Sequence, residues 1–272
     1  MLERAWRTLL LVAAALFLVI GIPSFLAPDW AASEFPWRVG PFLAQTIGGW
    51  SLGTAAIAAH AAYFARPRRI YPLLIYCTLF GTGQLVVVLA FADKLQTSHL
   101  LTYPYLGGLL AMIGAGLAVG YSWLTTPPGI DNTRRRPLWW ARLLVILVGG
   151  FVALLALGAF MAGPDGTTAR GEVFPEAMGL FSIRAFCAFL FALTTAILSA
   201  LLSRDLAPYR ALTFAGLYLV LPITFAALLN LSRFSFSLPG TMLYLLAYAI
   251  IGLLLIGMLA YERVRPEAFL PR

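Results

Sequence analysis

The sequence predicts an all-α polytopic membrane protein, a bundle of eight transmembrane helices built as two parallel four-helix repeats. Three observations carry this. First, 61% of the 272 residues are apolar and only 11% charged, against roughly 25% charged in a soluble domain, and mean hydropathy is +0.87. So few charges exclude a soluble globular protein, a disordered chain and a coiled coil. Second, eight apolar stretches are each long enough to cross a hydrocarbon core, which takes about 20 residues. Third, the second half of the chain repeats landmarks of the first.

The stretches cover roughly 8–27, 41–64, 70–92, 102–124, 139–161, 177–202, 211–231 and 238–260. Transmembrane strands would be about ten residues long and alternating, so a β-barrel is excluded. The first stretch follows Arg4 and Arg7 in the manner of a signal peptide, but Pro28 directly after Ala27 disfavours cleavage there. It reads as an uncleaved first helix. Pro127-Pro128-Gly129 ends the fourth span. The predicted organisation is therefore a first membrane repeat over 1–126, a cytoplasmic linker over 127–138 and a second repeat over 139–272. The outer segments 28–40 and 163–176 are too short for domains. They are expected to lie on the outer leaflet, with Trp30 and Trp37 as interfacial anchors.

Charge sets the orientation. The chain has 19 Lys+Arg against 11 Asp+Glu, and Lys94 is its one lysine. Fourteen bases fall on the side of the N-terminus and four on the other, with Arg184 inside a span. Cytoplasmic loops carry the Lys/Arg excess, so both termini are predicted to be cytoplasmic. The expected location is the cytoplasmic membrane of a bacterium, the source being read from the Ala/Leu/Arg-rich, Lys-poor composition. The +8 net charge is explained by topology and calls for no nucleic acid.

The repeat rests on F-P-x-x-x-G-x-F at Phe35–Phe42 and again at Phe174–Phe181, 139 residues on. Tyr105-Leu106 and Tyr244-Leu245 share that offset, and Pro28-Asp29 returns as Pro164-Asp165. An even number of helices per repeat inserts both the same way up, about an axis along the membrane normal.

Small residues and polar side chains mark packed faces in lipid. In the second span Gln45, Gly49, Gly53, Ala56 and His60 share one side. In the sixth, Arg184, Ala188, Ala192, Thr195 and Ser199 do so at equivalent positions. Arg184 lies about 10 Å inside the outer boundary at 1.5 Å per residue. An intramembrane charge marks a candidate site. Its candidate partners are Glu172 and Glu176 at the surface and Asn230, Thr241, Tyr244 and Tyr248 in the last two spans. The structural alternative is an Arg that snorkels outward and pins helices together. Gly81-Thr82-Gly83 and Leu221-Pro222 are expected to interrupt the third and seventh spans, where paired breaks can line a cavity. Gln84 is expected to hydrogen-bond Gln45. The candidate ligand-binding set is thus Arg184, Gln45, Gln84, Asn230, Tyr244 and Tyr248.

Catalytic chemistry has no evident carrier. No Asp or Glu lies within a span to form a proton or Na⁺ relay. His60 and His99 belong to opposite boundaries, so one metal or haem cannot take both. Cys77 and Cys187 read as packed thiols. Walker A, GxSxG and HExxH motifs are absent. Neither catalytic residues nor a cofactor or metal is assigned, and an enzyme is not expected.

The layout resembles the DoxX-like family of small bacterial membrane proteins. A first helix leads into Ala27-Pro28-Asp29-Trp30, and the polar opening of a second helix into small residues is seen at Arg184-Ala185. The resemblance would cover the chain as two copies, with Gln45 standing where the second copy has Arg184. Some members are similar to quinol-linked oxidoreductase subunits, which implies a membrane accessory role and supplies no catalytic residue. The leading expectation is an accessory or scaffold subunit whose partners are the lipid bilayer and other membrane subunits. The alternatives are a binder or carrier of a small amphiphile (lipid, quinone or organic anion) at the inter-repeat interface near Arg184, and an oxidoreductase partner borrowing its cofactor from elsewhere.

Overall fold

The computed structural model describes residues 2–64, 67–125, 137, 139–163, 178–234 and 239–264. The helices are α1 (Leu2–Leu26), α2 (Pro28–Ser33), α3 (Pro41–Tyr63), α4 (Pro67–Ala90), α5 (Thr102–Thr125), α6 (Trp139–Phe160), α7 (Leu180–Ser199), α8 (Ala207–Leu229) and α9 (Pro239–Val264). Among the described residues there is no strand. Prolines open several helices, at Pro28, Pro41, Pro67 and Pro239. There the missing N–H would have had no intrahelical partner and φ is already helical. The expected linker, apart from Pro137, and the outer segment 164–177 with Glu172 and Glu176 lie outside the described residues.

Among the described residues seven helices are long and apolar enough to cross a membrane: α1, α4, α5, α6, α7, α8 and α9. The exception among the predicted spans is α3, which is as long as its neighbours but carries Gln45, Thr46, Gly48, Gly49, Ser51, Gly53 and Thr54. Sixteen of its 23 residues are buried. A helix wrapped by other helices meets little lipid, so its sequence answers to close packing rather than to hydropathy.

In the first half, α1 packs along both α3 and α5, and α4 packs on α5. In the second, α6 packs on α7 and α8 on α9. The halves join through α3 on α8, α4 on α7 and α4 on α8. Both expected interruptions are corrected. α4 runs unbroken through Gly81–Gly83 and α8 through Pro222, because a spanning helix tolerates Gly and Pro where neighbours cover the freed backbone.

A second correction concerns Trp37. It is buried at 4% exposure rather than anchored in an interface. Its indole N–H donates to Ser182 Oγ at 3.0 Å, and its ring packs on Phe181 and Tyr105. Neighbouring backbone is knitted to the α4–α5 connection: the Gln96 N–H donates to Pro36 O at 2.7 Å and the Leu101 N–H to Glu34 O at 3.2 Å. Trp30 remains 43% exposed. The segment is thus a plug over the helix ends, reaching from the first half to the start of α7.

Candidate functional site

Gln45 and Arg184 occupy the fifth positions of α3 and α7. Each reaches back to the end of the preceding long helix. The Arg184 guanidinium donates from Nη1 to the carbonyls of Ala159, at 2.7 Å, and Phe160, and from Nη2 to Ala162 O at 3.0 Å. It also lies 5.6 Å from the Phe160 ring centroid. Gln45 Nε2 donates to Phe25 O at 2.9 Å. The last carbonyls of a helix have no intrahelical donor and carry its partial negative charge. A cation is the better donor for them, and three bonds fix both the height and the rotation of α6 against α7.

Around Gln45 the structure gathers three other predicted residues. Asn230 Nδ2 donates to Gln45 Oε1 at 2.5 Å and to Ala226 O at 2.8 Å. Tyr244 is 8% exposed beside Thr46, and its ring lies 4.8 Å from that of Tyr248. The Tyr248 hydroxyl makes no hydrogen bond among the described residues. Gln84 belongs elsewhere, against expectation. Its Nε2 donates to Ala185 O at 2.6 Å, and its Oε1 accepts from the Tyr105 hydroxyl at 2.9 Å. Gln45 and Gln84 leave opposite helix pairs, α3·α8 and α4·α7, so no bond joins them.

The predicted set therefore forms three separate groups: Arg184 on the end of α6; Gln45 with Asn230, Tyr244 and Tyr248; and Gln84 with Tyr105. Arg184 takes carbonyls of α6 as partners in place of Asn230 and the tyrosines. In each group a side chain that would be costly alone in hydrocarbon joins two helices.

Between the groups the helices cross at small residues. A Cβ on Gly53 would stand 2.6 Å from Tyr218 O and 2.9 Å from Leu219 Cα, and one on Gly49 would stand 3.2 Å from the Pro222 backbone. A Cβ on Gly83 would stand 3.2 Å from Ala188 Cβ. At the centre Trp50 of α3 stacks on Phe189 and Phe186 of α7, with centroids 4.6 and 5.0 Å away. This aromatic junction was not among the predicted residues. The signal was present, since Phe189 follows Trp50 by 139 residues, the offset between the two F-P-x-x-x-G-x-F segments.

His60 Nδ1 meets the Tyr218 hydroxyl at 3.1 Å, and His99 Nδ1 meets Phe35 O at 2.8 Å. Cys77 is buried and Cys187 half-buried, with Cys187 Sγ 3.3 Å from Ala156 O. Among the described residues no three His, Cys, Asp or Glu side chains cluster to hold a metal ion. The chain matches no family model, no curated protein and no solved structure.

Proposed function

We propose that this protein is a non-catalytic integral membrane protein acting as an accessory or scaffold subunit of a membrane complex. Its eight long helices cross the cytoplasmic membrane as two parallel repeats with both termini inside. The carrying observation is the use made of Gln45, Gln84, Asn230 and Arg184, each bonded to a backbone carbonyl or to another of the set across a helix pair. Such side chains fix helix positions and leave little for chemistry. The DoxX-like layout points the same way.

Contacts at the 139-residue offset support the repeat. Gly49 against Pro222 has its counterpart in Ala188 against Gly83. Trp50 stacks on its own counterpart Phe189, as a pair on a two-fold axis would. Arginines favour one end: Arg4, Arg7, Arg69, Arg142, Arg204, Arg210 and Arg263 lie where α1 begins and α9 ends, a distribution that supports a cytoplasmic position for that end.

The test is native mass spectrometry of the protein extracted gently from its own membrane, wild type beside Arg184→Ala. Stoichiometric protein partners kept by both forms support the scaffold reading. A monomer that flies alone and is active alone overturns it. One observation favours a second reading, a binder or carrier of a small amphiphile such as a lipid, quinone or organic anion. Among the described residues the Tyr248 hydroxyl has no partner, and its ring lies beside Tyr244 in an apolar helix. A bound small molecule lost in Tyr248→Phe would bring that reading forward.

A further inference from the structure

At the arginine-rich end, the start of α6, the start of α8 and the end of α9 converge. Ala141, Ala200, Leu206, Tyr209 and Met258 form one buried cluster there, and Trp140 meets Tyr261 edge-on at 5.4 Å. Four arginines lie at this end: Arg142, Arg204, Arg210 and Arg263. Arg210 is paired with Glu262 at 3.5 Å. The other nearby carboxylate, Asp205, accepts the Ala207 N–H at the start of α8. Arg142, Arg204 and Arg263 thus have no carboxylate partner among the described residues. Beside Arg142 lies the hydroxyl of Tyr209. That residue is 1% exposed; Arg142 lies within hydrogen-bonding reach of its oxygen, but a guanidinium only donates, so among the described residues the hydroxyl proton has no acceptor. Orphaned buried hydroxyls are uncommon because desolvation without a partner costs free energy. Among the described residues an acceptor oxygen is missing from this corner, next to positive charge that no described carboxylate neutralises.

Above the corner, protein does not close the seam between α6 and α9. In the first half the corresponding seam is shut, because α5 sets Gly107, Gly108 and Gly114 against Leu16, Phe17 and Leu9 of α1. At 139 residues on, α9 carries Leu246, Ala247 and Leu253, and the two leucines are 52% and 71% exposed. α6 and α9 share no extended contact.

We propose that this corner binds one anionic phospholipid of the inner leaflet. Its phosphate oxygens accept hydrogen bonds from Arg142 and the Tyr209 hydroxyl. Arg263 supplies further charge, and the acyl chains run along the exposed faces of α6 and α9. The three features select this occupant together: the arginines need an anion, the hydroxyl needs an acceptor, and the seam needs hydrocarbon. The inference rests on the membrane embedding and is independent of the scaffold role.

The experiment is native mass spectrometry of the purified full chain. It is titrated with phosphatidylglycerol or phosphatidylcholine of identical chains. One phosphatidylglycerol is expected to be retained about 25-fold better than phosphatidylcholine, from about fivefold for each of Arg142 and Arg263. Arg142→Gln with Arg263→Gln removes that preference, whereas Arg4→Gln with Arg38→Gln keeps it. Tyr209→Phe, which conserves volume and guards against misfolding, weakens retention several-fold. Millimolar glycerol phosphate, lacking acyl chains, does not displace the lipid. Equal retention of both lipids, equal loss in the control pair, indifference to Tyr209→Phe, or displacement by glycerol phosphate would each overturn the proposal.

Discussion

In the first half of the molecule α1 is clasped on two sides, by α3 and by α5; in the second, the first helix, α6, packs along α7 and among the described residues has no extended contact with α9. The difference is written in side-chain size. Three glycines let α5 approach α1, and where α9 has leucines at the same register the approach is lost. The polar caps change in step. Gln45 donates one bond to the end of α1, and Arg184 donates three to the end of α6. A helix with one packing neighbour is held by a stronger polar clamp, and a helix with two needs less. Hydrogen bonding and packing are interchangeable means of fixing a helix in lipid, where no hydrophobic drive brings helices together.

The largest effect is expected where the halves meet. Gly53→Leu forces a side chain into the backbone of α8, which cannot yield, and should abolish monodisperse elution on size exclusion; normal elution would mean that the halves are not closely joined there. Next comes the clamp. Arg184→Ala removes charged hydrogen bonds and should destabilise by about 2 kcal/mol, read as a lowered midpoint of thermal unfolding in detergent. Arg184→Gln, which copies the first half, should recover part of that loss. If it unfolds no later than Arg184→Ala, Gln45 and Arg184 do not share a role. The smallest effect is expected on the loose seam. Leu253→Ala removes a side chain that is 71% exposed and should shift stability by no more than about 0.5 kcal/mol. A larger loss would show that α9 is covered by something besides lipid.

Several features of this architecture were legible in the residues. Helix bounds follow hydropathy and proline closely, since Pro41 and Pro239 open helices near where spans were expected. The stripe of small residues in the second span correctly marked a close-packed face. Its low hydropathy also explains why α3 alone fails as an apolar helix. The candidate site was less legible. Gln45 and Asn230 were both named, but their bond crosses 185 positions of sequence, and no local pattern pairs them. The sequence suggests Gln45 as the partner of Gln84, both being in the first half of the chain; helix pairing across the halves sends it to Ala185 instead. Trp37 looked like an anchor because Trp favours interfaces, yet Ser182 and Phe181 on another helix bury it.

By itself the sequence determined that the chain is helical and apolar enough for a membrane, roughly where its long helices lie, and which faces are small enough to touch. Those properties depend on residues near one another along the chain and on their transfer between water and hydrocarbon. Only the tertiary structure decided what Arg184 does. A guanidinium inside a span must find oxygens, and which oxygens it finds depends on the helix end that packing brings within reach. Here that end belongs to α6.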